Sequence, residues 1–157
     1  MSKKRGTHPW KAQFEELVLT LEAMDFEVET GPGIDNEVLL GNENVVYINS
    51  SLHPEKRYYY LLHELGHILI SRDWDVWSRM YPGYRGAPHD CPDGRVRRSK
   101  TFQVGLLAEE LDAWSCGLSF VKSLGHVVNH DKFMKLRDRC VASYIVGAAE
   151  VWGILKT

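Results

Sequence analysis

The sequence predicts an α+β fold: a small antiparallel sheet of three strands and a buried central helix packed among about four helices. Three observations carry this. Apolar residues recur at three- and four-residue intervals near the N-terminus and again in two long stretches beyond residue 100. Short apolar or alternating runs bounded by turn residues fill the segment from Phe26 to Asn49, as strands do. Between these parts, Tyr58 to Ile70 is apolar nearly all round a helical wheel, which marks a helix buried on every side.

At 157 residues the chain is expected to form one domain, residues 1–157, with a substantial core. Its composition, 44% hydrophobic and 25% charged, is that of an ordinary globular protein, and a formal charge of -2 gives no global attraction to nucleic acid or anionic membrane. No apolar run approaches the roughly 18 residues of a membrane span. The basic start, Met1 to Gly6, is not followed by the apolar segment of a signal peptide. Cys91, Cys116 and Cys140 are widely spaced and odd in number, which argues against a disulfide framework and for a reducing, cytoplasmic setting.

In chain order, Pro9 to Asp25 reads as an amphipathic packing helix, with Phe14, Leu17, Val18, Leu21 and Met24 on one face and Glu15, Glu16 and Glu22 away from it. Phe26 to Thr30 alternates with period two, Gly31 to Asn36 is turn chemistry, and 37–40 and 44–49 complete a three-stranded antiparallel meander. Ser50 to Glu55 opens the central helix, which runs to about Ser71. Gly66 inside it costs about 1 kcal/mol of helix propensity, so another backbone is expected to pass close there. Residues 72–103 form an irregular insertion with an excess of basic residues, broken by Pro82-Gly83, Gly86-Ala87-Pro88 and Pro92-Asp93-Gly94, with a short helical turn around Trp74, Trp77 and Tyr81. A loop of that length suits a lid or a substrate-binding segment. A helix returns from Val104 to Leu124 with Gly125 as C-cap. The last helix starts at Asn129 and runs to about Ile154, burying Phe133, Leu136, Cys140, Tyr144, Ile145, Ala148 and Val151. His126 and His130 straddle its start and read as solvated loop histidines.

The chemistry concentrates in His63-Glu64-Leu65-Gly66-His67, the zinc-hydrolase pattern His-Glu-x-x-His. On a helix the two imidazoles sit one turn apart and about 40° round the axis, so both can meet one metal. Glu64, about 100° round from His63, can reach a water there as a general base without being a ligand. Two histidines and a carboxylate inside an apolar helix are costly unless metal-bound or fully hydrogen-bonded. The third ligand comes from a wheel argument. In the 104–124 helix, Glu110 falls near the middle of an apolar arc that holds Val104, Leu107, Leu111, Trp114, Leu118 and Leu124, while Glu109 and Asp112 lie on or near the other half. Glu110 is therefore the acid presented to the interior, and His63, His67 and Glu110 are the expected zinc ligands.

With those residues in place, the chain resembles the ImmA/IrrE family of bacterial and phage zinc metallopeptidases over roughly residues 14 to 121. The resemblance rests on the helix, the short strands including Val45 to Asn49, the segment Leu61 to Leu69, and the acidic helix that follows. That family's acidic helix often has the form Glu-x-Glu-Ala-Asn-x-Phe-Ala, and Glu110-Leu111-Asp112-Ala113-Trp114 aligns with its first five positions. Trp114 stands where the family usually has Asn, the Leu-Met-Pro ending is absent, the insertion is long and basic, and no helix-turn-helix module is attached. The resemblance implies a zincin-like fold and cleavage of a protein partner, such as a transcriptional repressor or an antitoxin. Two alternatives from other classes are a zinc-stabilised binding protein without turnover and, less favoured, a nucleic-acid-binding module using Arg95, Arg97, Arg98 and Lys100.

Overall fold

Six helices and a three-stranded mixed sheet make up the computed structural model, which describes residues 9–82 and 94–154. The first helix, α1 (Trp10–Glu22), buries Leu17 and Leu21, with Phe14, Val18 and Met24 half-buried, and it ends where Asp25 takes a positive φ. Its unexpected buried member is Gln13. The side-chain amide donates to the Val127 carbonyl at 2.9 Å and accepts from the Val127 N–H at 3.0 Å, tying α1 to the far end of the chain.

The three strands are β1 (Glu27–Gly31), β2 (Glu37–Leu39) and β3 (Val45–Asn49), but they do not form an antiparallel meander. Their order is β1-β3-β2, with β1 parallel and β2 antiparallel to β3. The reason lies in burial. Val45, Val46 and Ile48 of β3 are buried, whereas β1 is mostly exposed, β2 is half-buried at Val38 and Leu39, and the two carry Glu27, Glu29 and Glu37. The most apolar strand takes the centre, where neighbours cover both of its edges. Two asparagines hold the crossover: Asn36 Oδ1 accepts from the Asn49 N–H at 2.9 Å, and Asn49 Oδ1 accepts from the Gly33 N–H at 3.2 Å.

The central helix α2 (Pro54–Ser71) begins with Pro54 at its first position and Glu55 in its first turn. It buries Tyr58, Tyr59, Leu61, Leu62, Leu65 and Ile68 against α1, β3 and the long helix α5 (Lys100–Ser123). Each aliphatic side chain so buried contributes about 1.5–3 kcal/mol. Between them come α3 (Trp74–Met80), capped by Asp73, and the short α4 (Gly94–Arg97). The 72–103 stretch is thus more regular at both ends than its composition suggests. Tyr84, Arg85, His89 and Cys91 lie outside the described residues.

α5 starts a turn earlier than expected, because Ser99 caps it by accepting from the Phe102 N–H at 3.1 Å. It also buries a narrower face than its apolar arc. Phe102, Ala113, Trp114, Gly117, Leu118 and Val121 are buried, but Val104, Leu111 and Leu124 are exposed. The last helix, α6 (His130–Val151), buries Phe133, Leu136 and Ala148 as expected and leaves Ile145 and Val151 exposed. His126 is not solvated. Its side chain is 4% exposed, with Nδ1 2.7 Å from the Tyr58 hydroxyl and Nε2 3.2 Å from Glu16. His130 is exposed, as expected.

α2 and α5 touch backbone to backbone. A Cβ on Gly66 would overlap the Ala113 carbonyl, and one on Gly117 would overlap the Leu62 carbonyl. The close approach expected at Gly66 is therefore present, and it is reciprocal. Gly66→Ala should cost about 2–4 kcal/mol, since neither backbone can yield cheaply. Gly147→Ala, in α6 with open space around it, should instead gain about 0.5–1 kcal/mol from helix propensity. Urea unfolding of the two variants checks this, and equal effects would contradict the packing described.

Candidate metal centre

His63 and His67 project from α2 toward α5, where Glu109, Glu110 and Trp114 meet them. The two Nε2 atoms are 3.1 Å apart. Glu110 brings Oε2 to 3.3 Å from His63 Nε2 and Oε1 to 3.6 Å from His67 Nε2. Around a cation bound at about 2.0–2.1 Å, the edges of a ligand tetrahedron are about 3.3 Å long. The observed spacings lie near that figure, with a different Glu110 oxygen facing each imidazole. Two bare Nε2 lone pairs at 3.1 Å repel, so a proton or a cation must lie between them. Glu110 Oε2 is buried and finds no hydrogen-bond partner among the described residues. His63, His67 and Glu110 could together hold a metal ion.

The surroundings prepare each group differently. Burial pushes the His63 pKa down to about 4, so its imidazole is neutral at physiological pH and has a lone pair to give. Its Nδ1 finds no partner, and the ring is held instead by stacking on Trp114, with centroids 4.2 Å apart and planes at 16°. Burial works against a charged His67 too. There, a 2.8 Å hydrogen bond from Nδ1 to Glu109 and the nearby carboxylates prevail, and the pKa rises to about 9. Burial alone would raise Glu110, but His63, His67 and the Tyr144 hydroxyl outweigh it and hold the carboxylate ionised. Burial raises Glu64 to about 8, with Glu110 and Glu109 adding to it and His67 opposing.

These residues line one cleft of about 300 Å³, closed on its other sides by Asn36, Val38 and Leu40 around β2, by Leu106, and by Tyr144 from α6. Glu64 faces the same space as the three candidate ligands.

Two residues of the site escaped the sequence reading. Glu109 was expected on or near the solvent half of its helix, but it is 6% exposed and fixes His67 through Nδ1, leaving Nε2 for a metal. The stripe through Phe102, Ala113, Trp114, Gly117 and Val121 has room for two consecutive acids, one on each side of its centre line. Tyr144 was expected to be plain core, yet it is half-buried and points its hydroxyl at Glu110. Tyr81, which ends the short helix after α2, turns its hydroxyl away from the cleft to donate to Asp112 at 2.6 Å.

No family model, curated protein or solved structure matches the chain. The site is therefore interpreted from its own geometry.

Glu110→Ala should abolish stoichiometric metal binding, whereas Glu109→Ala should keep one metal per chain with affinity about 10–100-fold weaker, as loss of an orienting carboxylate does. Chelator competition on both variants decides this, and unchanged affinity in Glu109→Ala would remove its orienting role. Metal must also displace the proton that His67 holds up to about pH 9. Affinity should accordingly rise about tenfold per pH unit below that point, with about one proton released per metal near pH 7. Calorimetry in buffers of different ionisation heat reads that proton, and its absence would mean that metal-free His67 is neutral.

Proposed function

We propose that the chain is a zinc-dependent endopeptidase with a zincin-like fold, related to the ImmA/IrrE metallopeptidases. The observation that carries this reading is the convergence of two imidazole nitrogens and one carboxylate at tetrahedral spacing, with a further carboxylate, Glu64, beside them in an open cleft. Three protein ligands would leave a bound zinc open to water, the pattern of a catalytic site and not of a closed structural one. When bound, zinc supplies Lewis acidity toward a water molecule and the substrate carbonyl.

The remaining steps belong to the chain. With a cation bound, offsetting the burial that otherwise raises it to about 8, Glu64 is ionised and would take the proton from the attacking water and pass it to the leaving peptide nitrogen. Glu109 holds His67 in the tautomer that presents Nε2. Tyr144 is the only hydroxyl among the described lining residues, and burial beside Glu110 keeps its phenol protonated. Its hydroxyl bonds Glu110, and it would serve a developing oxyanion by turning from that carboxylate once a cation occupies the site.

Substrate geometry follows from the sheet. Both edges of β3 are taken by β1 and β2, so this strand cannot receive a peptide. The outer edge of β2 borders the cleft, and an extended segment of a protein partner can add there through main-chain hydrogen bonds. A repressor or antitoxin is the partner class that the family resemblance suggests.

Glu64→Gln keeps shape but cannot act as a base, so it should retain metal and lose cleavage of a peptide library. Tyr144→Phe should also retain metal and lower kcat by about 10²–10³-fold with little change in KM. If wild type and Glu64→Gln behave alike toward partner and peptide, the chain is a zinc-stabilised binding protein without turnover.

A further inference from the structure

A second cavity, of about 360 Å³, opens between the start of α2 and the first half of α6 and shares no lining residue with the metal cleft. Lys56 reaches it from α2, and Lys132, Lys135 and Arg139 reach it from one face of α6, at spacings of three and four residues. Glu55 is the one carboxylate in its wall, and it is already engaged. Lys132 Nζ lies 2.8 Å from Oε2, and the Tyr59 hydroxyl donates to Oε1 at 3.0 Å. Lys56, Lys135 and Arg139 have no carboxylate within ion-pairing distance among the described residues. Lysines on a single solvated helix face diverge into water. Here basic residues of two helices line one concavity, in a chain whose formal charge is -2.

We propose that this cavity binds a compact polyanion of the phosphate class, a phosphomonoester or a diphosphate. Lys56, Lys135 and Arg139, lining one cavity without carboxylate partners among the described residues, suit charge concentrated on one group, since each could form a charge-assisted hydrogen bond to a separate oxygen. A nucleic-acid strand would need a track of cations spaced along its backbone, and a single carboxylate would leave most of the charge unmatched. Leu136 and the aliphatic lysine stems give the rest of the ligand an apolar rest. The site stands independently of any reading of the metal centre.

The test is NMR titration of the full chain with inorganic pyrophosphate, free phosphoserine and a phosphoserine peptide, at constant ionic strength in chloride. Saturable shifts confined to residues 53–59 and 132–139 are expected. The triple variant Lys56→Gln, Lys135→Gln, Arg139→Gln should weaken binding by about tenfold or more. It leaves the Lys132–Glu55 pair in place, and Lys135→Gln alone serves as a milder check should the triple variant unfold. A free ligand binding as tightly as the phosphopeptide identifies a small phosphorylated molecule as the source, and a tighter phosphopeptide identifies a modified protein. Non-saturable shifts, shifts confined to the metal cleft, undiminished binding by the variants, or equal binding of a peptide with Glu in place of phosphoserine would each overturn the proposal.

Discussion

The backbone contact between α2 and α5 is the constraint on which the rest depends. Gly66 lies under the Ala113 carbonyl and Gly117 under the Leu62 carbonyl, so two helices without intervening side chains approach at two points. His63 and His67 each sit one residue from a point of contact, as does Trp114. Glu109 and Glu110 come one turn before it on α5. Side chains as short as glutamate can then span the gap from α5 to both imidazoles. Any residue larger than glycine at either contact would push the helices apart by more than those hydrogen bonds and donor spacings can follow.

Electrostatics turns that proximity into a site. Three carboxylates and two imidazoles share a cleft walled by Val38, Leu40 and Leu106, with Trp114 stacked on His63. Isolated charges in such a place cost several kcal/mol each, and burying both partners of an ion pair is itself seldom favourable. The protein relieves part of this by hydrogen bonding His67 to Glu109 and Glu110 to Tyr144. It leaves Glu110 Oε2 and His63 Nδ1 without partners and Glu64 with a raised proton affinity. A bound cation would ease the burden on Glu110 and Glu64 together. His63 differs, since stacking on Trp114 replaces the hydrogen bond that usually orients a ligating imidazole.

Much of this was legible in the sequence where a signal is local. The His-Glu-x-x-His spacing, the all-round apolar helix and the lone glycine within it pointed to residues that could hold a metal and to the close packing. Glu110 could be picked from the wheel because an acid amid apolar neighbours has few places to go. Glu109 could not, because the buried face of α5 is set by where α2 lies and not by the width of the apolar arc. Strand order was missed for a similar reason. A short turn between two strands says nothing of which strand will be central, although the run of Val45, Val46 and Ile48 held that information. Tyr144 and His126 look like core and loop by local pattern, and only the packing of α6 and α1 gives them polar partners. No helix among the described residues is long and apolar enough to cross a membrane, in line with the absence of a long apolar run.

The central claim is that His63, His67 and Glu110 are ligands to one metal. X-ray absorption at the edge of the metal that the purified protein carries tests it most directly. The expected result is one metal per chain, coordinated by two imidazole nitrogens and carboxylate or water oxygen, with no sulfur. A chain that stays metal-free in metal-replete medium, or a spectrum with a sulfur ligand from one of the cysteines, would contradict the assignment.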